Sequence, residues 1–214
     1  MENLLSEERR QGLIQWYQQH RHLESVGSEE DYVGIRYIHI HNRAIREDIQ
    51  RMYFTLIGEI RKISDQVVWP EMISIARWHL GGIQAPHLDT YSNDEFRENN
   101  VDENPSREWT CILYLNDDYS GGETYFPPCE QYPFGQQVKP AAGSGLLFQG
   151  IYIPHGVFKI RRNYRYTVAF WFTTNQERMM PDGVVKNLEL NEISTKIADA
   201  PKNIPAGIAS VPNK

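Results

Sequence analysis

The sequence predicts an α+β fold in which helices come first and a β-sandwich or barrel forms the centre. In the first third of the chain, apolar residues recur at three- and four-residue steps, which is the period of an amphipathic helix. From Met72 onwards the pattern changes to short β-branched or aromatic runs separated by Gly, Pro, Asn and Asp. A run of helices followed by a run of strands is typical of α+β domains.

Length and composition predict a single soluble domain over residues 1–214. The chain is 40% hydrophobic, which is enough for one core, and no apolar stretch approaches the roughly 18 residues of a membrane-spanning helix. The formal net charge is -6, and acidic and basic residues are mixed along the chain. Nucleic acid and membranes are therefore not expected as partners, and the oligomeric state is left open.

The cysteines and the N-terminal segment indicate the cellular compartment in which the protein is expected. The two cysteines, Cys111 and Cys129, form no CxxC pair, and charges occupy the N-terminal segment where a signal peptide needs an apolar run. These features predict a cytoplasmic protein.

Residues 1–66 are predicted to form a helical support. One helix is expected at about residues 4–20. A second is indicated by an apolar stripe on one face of the segment from residue 45 to residue 63, namely Ile45, Ile49, Met52, Tyr53, Leu56, Ile57, Ile60 and Ile63.

Residues 67–174 are predicted to form a strand-rich core. Its strands are expected in "MISIARWHL", "WTCILYLND", "GGETYFP", "SGLLFQG" and "RYTVAFWFT". The polar segment 90–108 shows no helix- or strand-like periodicity of apolar residues, which predicts a long surface loop. This loop is expected to be either a lid over a site or a disordered stretch. Residues 175–214 are predicted to be a C-terminal appendage packed on the surface.

Three residues of the core have side chains and positions suited to a metal site. His87 and Asp89 are two residues apart, and in an extended strand such residues point to the same face. They can therefore occupy adjacent coordination positions. His155, between two apolar runs, is the candidate third ligand. Two histidines and one carboxylate make the facial triad of non-haem iron(II) oxygenases, which leaves three coordination positions open.

An arginine and a tyrosine of the same core are candidates for binding an anion. Arg165 opens the apolar strand "RYTVAFWF", and an arginine at the edge of such a core is suited to a bidentate carboxylate ligand. Tyr114 shares a strand face with Thr110 and Ile112, so its hydroxyl is a candidate second donor to that anion. Strand parity also places Trp171 on the face of Arg165.

The order of these motifs resembles the prolyl 4-hydroxylase group of iron(II)/2-oxoglutarate dioxygenases. The stretches that carry the resemblance are "ARWHLGGIQAPHLD", "TCILYLNDDYSGGETYFP", "AAGSGLLFQG" and "PHGVFKIRRNYRYTVAFWF", within residues 72–174. The resemblance implies that residues 67–174 form a catalytic double-stranded β-helix, or jelly roll, with the N-terminal helices packed on its outer face.

The resemblance also implies a set of ligands and a reaction. His87, Asp89 and His155 would hold Fe(II), and Arg165 would bind the distal carboxylate of 2-oxoglutarate with help from Tyr114. Trp78 stands where many relatives have a tyrosine that contacts 2-oxoglutarate. O2 would be the second cosubstrate and ascorbate the reductant. The enzyme would hydroxylate an unactivated C–H bond, with succinate and CO2 as co-products, and the favoured substrate is a prolyl residue in a peptide or protein.

Three alternatives stay open at this point. The substrate could be a free amino acid or another small molecule. The chain could be a catalytically silent jelly-roll binding module, or a metal-dependent isomerase or sugar-binding protein of the cupin type, which would not need Arg165. The remaining histidines are expected to have structural or surface roles, namely His20, His22, His39, His41 and His79.

Overall fold

A computed structural model gives the architecture of the chain and describes residues 1, 4–28, 31–89, 107–128 and 133–180. Several sequence-based expectations fall outside this part of the chain. They concern most of the loop at 90–108, Cys129, and the appendage beyond residue 180. Those expectations stay predictions.

Two α-helices precede the sheets. Helix α1 spans Glu7–Gln19 and helix α2 spans Arg43–Ile63. The side chain of Asn42 caps α2 by accepting a hydrogen bond from the backbone N–H of Ile45 at 3.1 Å. The apolar stripe of α2 is buried as predicted up to Ile60, whereas Ile63, its last residue, is 55% exposed. Short 3-10 helices lie at Arg21–Leu23, Tyr37–His39 and Gln176–Arg178.

Twelve strands of the described residues form three antiparallel sheets. The large sheet has six strands in the order β1-β2-β3-β12-β5-β9, the small sheet has four in the order β4-β10-β7-β8, and β11 pairs with β6. In chain order their bounds are Val26–Ser28, Tyr32–Arg36, Trp69–Trp78, Gln84–His87, Arg107–Tyr114, Ser120–Gly121, Thr124–Phe126, Gln136–Val138, Gly145–Phe148, His155–Val157, Ile160–Arg162 and Arg165–Thr173.

The two faces of the large sheet have different partners. One face carries Leu113 of β5 and Phe170 of β12, which join α1 and α2 in the main hydrophobic cluster, and Phe172 stacks on Tyr53 of α2 with ring centroids 6.0 Å apart. The opposite face carries Arg165 of β12, which contacts the small sheet. The strands alternate in this way because successive side chains point to opposite faces. The candidate site therefore lies between the two sheets.

Residues 1–66, predicted to be a helical support, contain two strands besides their helices. Strands β1 and β2 lie in this segment and pair with each other, and β2 continues the large sheet by pairing with β3. Residues 29–31 of the sequence are acidic, and β1 has only three residues, so the segment lacks the alternating apolar run that marks a strand in a sequence. The division of the chain at residues 66 and 174 stays a prediction.

Two findings bear on the environment of the protein. Cys111 is a free, buried thiol, and burial raises its pKa, so it is held as an unreactive core residue. Among the described helices, none combines the length and the apolar character that crossing a bilayer requires. The cytoplasmic location stays a prediction.

Candidate functional site

Strand pairing brings the predicted metal ligands together. Strand β4 ends at His87 and β10 begins at His155, and the antiparallel register places these two residues directly opposite each other. Their ring centroids are 4.4 Å apart. Asp89 lies two residues beyond His87, with its Oδ1 at 3.8 Å from the Nε2 of His87 and its Oδ2 at 3.7 Å from the Nε2 of His155. One donor atom from each residue falls within 4.8 Å of the others, so the three can share one ion.

Backbone carbonyls orient both imidazoles toward this point. The Nδ1 of His87 lies 3.1 Å from the carbonyl oxygen of Ala85, and the Nδ1 of His155 lies 3.1 Å from that of Ile153. An N–H at Nδ1 that donates to a carbonyl leaves Nε2 as the unprotonated, metal-binding nitrogen. Two histidine Nε2 atoms and one carboxylate are the donor set of non-haem Fe(II) sites, so the residues present fit Fe(II).

Asp89 is buried, and its carboxylate is held from several sides. Burial alone would raise the pKa of Asp89, but the adjacent His155 and His87, with a hydrogen bond donated by the hydroxyl of Thr110, hold it below its usual value. Its backbone N–H donates to the carbonyl oxygen of Gly150 at 3.0 Å. The side chain is therefore an ionised carboxylate in a defined orientation, as a metal ligand must be.

Gly150 leaves the space that the carboxylate of Asp89 occupies. A Cβ at this position would overlap the Oδ2 of Asp89 and crowd the hydroxyl of Thr110. We expect Gly150→Ala to displace the carboxylate and to weaken Fe(II) binding by about 10- to 100-fold, as losses of ligand-supporting contacts do. Anaerobic Fe(II) titration would measure this. Gly58→Ala is the matched control, because a Cβ at Gly58 in α2 meets nothing within 4 Å. Equal affinities in the two variants would contradict the expectation.

Arg165 is a buried cation with open hydrogen-bonding capacity. The residue is 1% exposed, and its Nη2 donates to the hydroxyl of Thr124 at 3.2 Å. Its Nε is buried without a hydrogen-bond partner, and no carboxylate of the described residues lies within ion-pair distance. A buried charge is costly unless it is paired. The guanidinium is therefore suited to an anionic ligand, and this fits a cosubstrate that carries a carboxylate.

Tyr114 and Trp78 both lie beside Arg165. The Cζ of Arg165 is 5.3 Å from the ring centroid of Tyr114 and 4.9 Å from that of Trp78, which faces Arg165 across the β3–β12 pairing. The hydroxyls of Tyr114 and Thr124 form a 2.8 Å hydrogen bond. Trp78 also stacks on Tyr32, with ring centroids 4.5 Å apart. Trp78 thus packs on the guanidinium through its ring face, which favours the cation.

Sequence reasoning missed several residues around the site. Arg107, the first residue of β5, donates from Nη1 to the carbonyl oxygen of Asp89 at 3.3 Å and pairs with the buried Glu71 at 3.3 Å. Its guanidinium also lies 5.4 Å from the ring centroid of Trp171. Thr110 could have been found, because it shares its strand face with Tyr114. Arg107 carried no comparable signal.

The other histidines belong to no metal-binding group of the described residues. Within the described ranges, the group formed by His87, Asp89 and His155 is the one set of three or more His, Cys, Asp or Glu residues placed to hold a metal. His20, for example, stacks on Trp16 at 4.6 Å at the end of α1. Gly121 and Gly122 have φ values of 71° and 69°, in the left-handed region that favours glycine, as expected for tight backbone geometry at a strand entry.

Comparison with known proteins identifies the family of this domain. Residues 73–173 match the model of the 2OG-Fe(II) oxygenase superfamily. Prolyl 3-hydroxylase 1 of Rattus norvegicus is 33% identical over 105 residues, which is 46% of this chain and 14% of the relative. The match therefore spans about one seventh of that relative's length.

Solved structures share the fold. The viral collagen prolyl hydroxylase of Paramecium Bursaria Chlorella virus-1, solved as a 2OG complex, superposes with a TM-score of 0.62 at 17% identity, covering 82% of this chain and 94% of the other. The prolyl hydroxylase of Trichoplax adhaerens, in complex with a hypoxia inducible factor peptide fragment, gives 0.63 at 18% identity and 86% coverage of both chains. These likenesses and the antiparallel sheets confirm the jelly-roll core. Residues 73–173 of the chain therefore match the 2OG-Fe(II) oxygenase superfamily, and the relatives described above to which the chain is similar are prolyl hydroxylases.

Proposed function

We propose that the protein is an Fe(II)- and 2-oxoglutarate-dependent dioxygenase that hydroxylates a prolyl residue of a peptide or protein. The observation that carries the proposal is the pairing of two features between the same two sheets. One is the cluster of His87, Asp89 and His155, whose donor atoms fall within 4.8 Å of one another. The other is the buried Arg165, whose Nε has no hydrogen-bond partner among the described residues. A metal chelator that ends in a carboxylate would satisfy both.

Each residue has a distinct task in this proposal. His87, Asp89 and His155 hold Fe(II), which when bound supplies the oxidising chemistry together with 2-oxoglutarate and O2. Arg165 binds the distal carboxylate of 2-oxoglutarate and orients it. If the hydroxyl of Thr124 donates to the oxygen of Tyr114, the Tyr114 proton is free to bind the same carboxylate. Trp78 packs on Arg165 and shields the ion pair from water, which strengthens it.

The substrate part of the proposal rests on the relatives. The relatives described above are named prolyl hydroxylases, and one of them was solved with a peptide fragment. Arg107 and Trp171 adjoin Asp89, and we propose that they contact the substrate. We propose ascorbate as the reductant that keeps the iron in the Fe(II) state.

The test is a turnover assay on the purified protein. The protein is incubated in air with Fe(II), ascorbate and 2-oxoglutarate, and succinate is measured with and without proline-containing peptides and free amino acids. We expect succinate to form and to rise with a peptide, and hydrolysis of that peptide to release 3- or 4-hydroxyproline. Stimulation by a free amino acid alone would overturn the peptide substrate. No succinate, with iron confirmed bound, would overturn the dioxygenase proposal.

A further inference from the structure

Tyr119 has a polar group to which neither the fold nor the proposed reaction assigns a role. It lies between β5 and β6, and its hydroxyl oxygen is buried without a hydrogen-bond partner among the described residues. Buried hydroxyls almost always have a partner, because burial without one forfeits the hydrogen bonds that water would make. A buried hydroxyl without such a partner is therefore suited to a ligand.

The ring of Tyr119 and the side chain of Arg165 border the same small space. A Cβ placed on Gly122 would meet the Cδ of Arg165 and the Cε2 of Tyr119, each at 3.3 Å, and would overlap the side chain of Ile160. The side chains of Ile160, Arg165 and Tyr119 therefore all pack against Gly122. The Nε of Arg165 is likewise buried without a partner. The phenol of Tyr119 and the guanidinium of Arg165 are thus neighbours that interact with each other, and each has a buried polar atom that forms no hydrogen bond of good geometry with a described residue.

The protonation state of Tyr119 makes it a donor. Burial raises the pKa of its phenol, and the charge of Arg165 opposes this rise only in part. At neutral pH the side chain is therefore a neutral phenol, which can donate one hydrogen bond to an anion.

We infer that Tyr119 is a cosubstrate-binding residue, whose hydroxyl donates a hydrogen bond to the carboxylate that Arg165 holds. The inference rests on the proposed function and adds to it a determinant of specificity. Tyr119 and Arg165 together favour a 2-oxo acid with a second, distal carboxylate over a 2-oxo acid that ends in a methyl group. Without the distal carboxylate both donors would be left unpaired, and an unpaired buried donor is more costly than a lost contact between neutral groups.

The experiment measures how removal of the Tyr119 hydroxyl changes the affinity of the protein for two ligands. Binding of 2-oxoglutarate and of 2-oxopentanoate, which has the same five-carbon chain without the distal carboxylate, is measured by calorimetry under nitrogen on the Fe(II)-loaded protein. In Tyr119→Phe we expect the Kd for 2-oxoglutarate to rise about ten- to hundredfold, the range for a hydrogen bond to a charged group. The Kd for 2-oxopentanoate should not change. Because no turnover occurs under nitrogen, binding is measured apart from chemistry.

Matched variants separate the possible outcomes. Tyr164→Phe also removes a phenol hydroxyl, but from a ring that is 46% exposed and lies against Arg77. It should leave both Kd values unchanged. If the wild type binds 2-oxoglutarate and Arg165→Ala weakens binding while Tyr119→Phe does not, the role of Tyr119 is overturned and the proposed function stands. If the wild type binds no 2-oxoglutarate, both are overturned. If Tyr119→Phe weakened the binding of both ligands equally, Tyr119 would have a role in packing. The inferred specificity for a distal carboxylate would then be overturned.

Discussion

Replacement of Arg165 with alanine is expected to abolish tight binding of 2-oxoglutarate while leaving the metal ligands in place. The guanidinium is 1% exposed, and the described residues offer it no carboxylate within ion-pair distance. A ligand carboxylate would therefore be its principal charge partner. Loss of one member of such a desolvated pair costs about 2–5 kcal/mol, which corresponds to an increase in Kd of about 30- to 5,000-fold. Anaerobic calorimetry with 2-oxoglutarate measures this directly.

Two further variants define what the loss in Arg165→Ala means. Arg165→Lys keeps the charge but loses the planar fork, and the affinity should recover only in part. Arg161→Ala removes an exposed arginine of β11 and should leave 2-oxoglutarate binding unchanged. Fe(II) binding should be the same in all three variants, since Arg165 contacts Thr124 rather than the metal ligands. Full 2-oxoglutarate affinity in Arg165→Ala would overturn the assignment and favour a metal protein of the cupin type.

The variants Asp89→Ala and His155→Ala are expected to lose turnover below detection and to keep the fold. Each variant lacks one of the three side chains whose ligand atoms would bind the same metal ion. Asp89 would also supply the negative charge of the site. The loss should exceed the ~10- to 100-fold that is typical of residues that only support a ligand. Succinate formation and iron content of the purified variants are the two measurements.

The fold should survive because the three ligands lie outside the hydrophobic clusters. The main cluster is formed by α1, α2 and one face of the large sheet, and none of the ligands belongs to it. Circular dichroism and thermal unfolding of the metal-free variants should therefore resemble those of the metal-free wild type. His41→Ala is the matched control, since His41 is exposed and belongs to no metal-binding group of the described residues. Undiminished turnover in Asp89→Ala would refute the ligand assignment.

Much of the candidate site could be predicted because strand alternation is a local property. The shared face of Thr110 and Tyr114 follows from the two-residue period of a strand, and the structure agrees with it. The side chains of His87 and Asp89 also lie close together, although β4 ends at His87 and Asp89 follows the strand. The apolar period of α2 likewise located the buried face of the helix. Strands β1 and β2 were missed, because they are short, contain glycines and show no regular apolar alternation that a sequence pattern could detect.

The amino-acid sequence by itself determined which residues could do the chemistry and which face of each element they share. Only the tertiary structure decided which elements are neighbours. The register of β10 on β4 places His155 opposite His87, and the packing of β7 under β12 brings Thr124 to Arg165. Register depends on the burial of whole sheet faces and on contacts between residues far apart in the chain, which no local pattern encodes. For the same reason the open donors of Arg165 and Tyr119 became visible only in three dimensions.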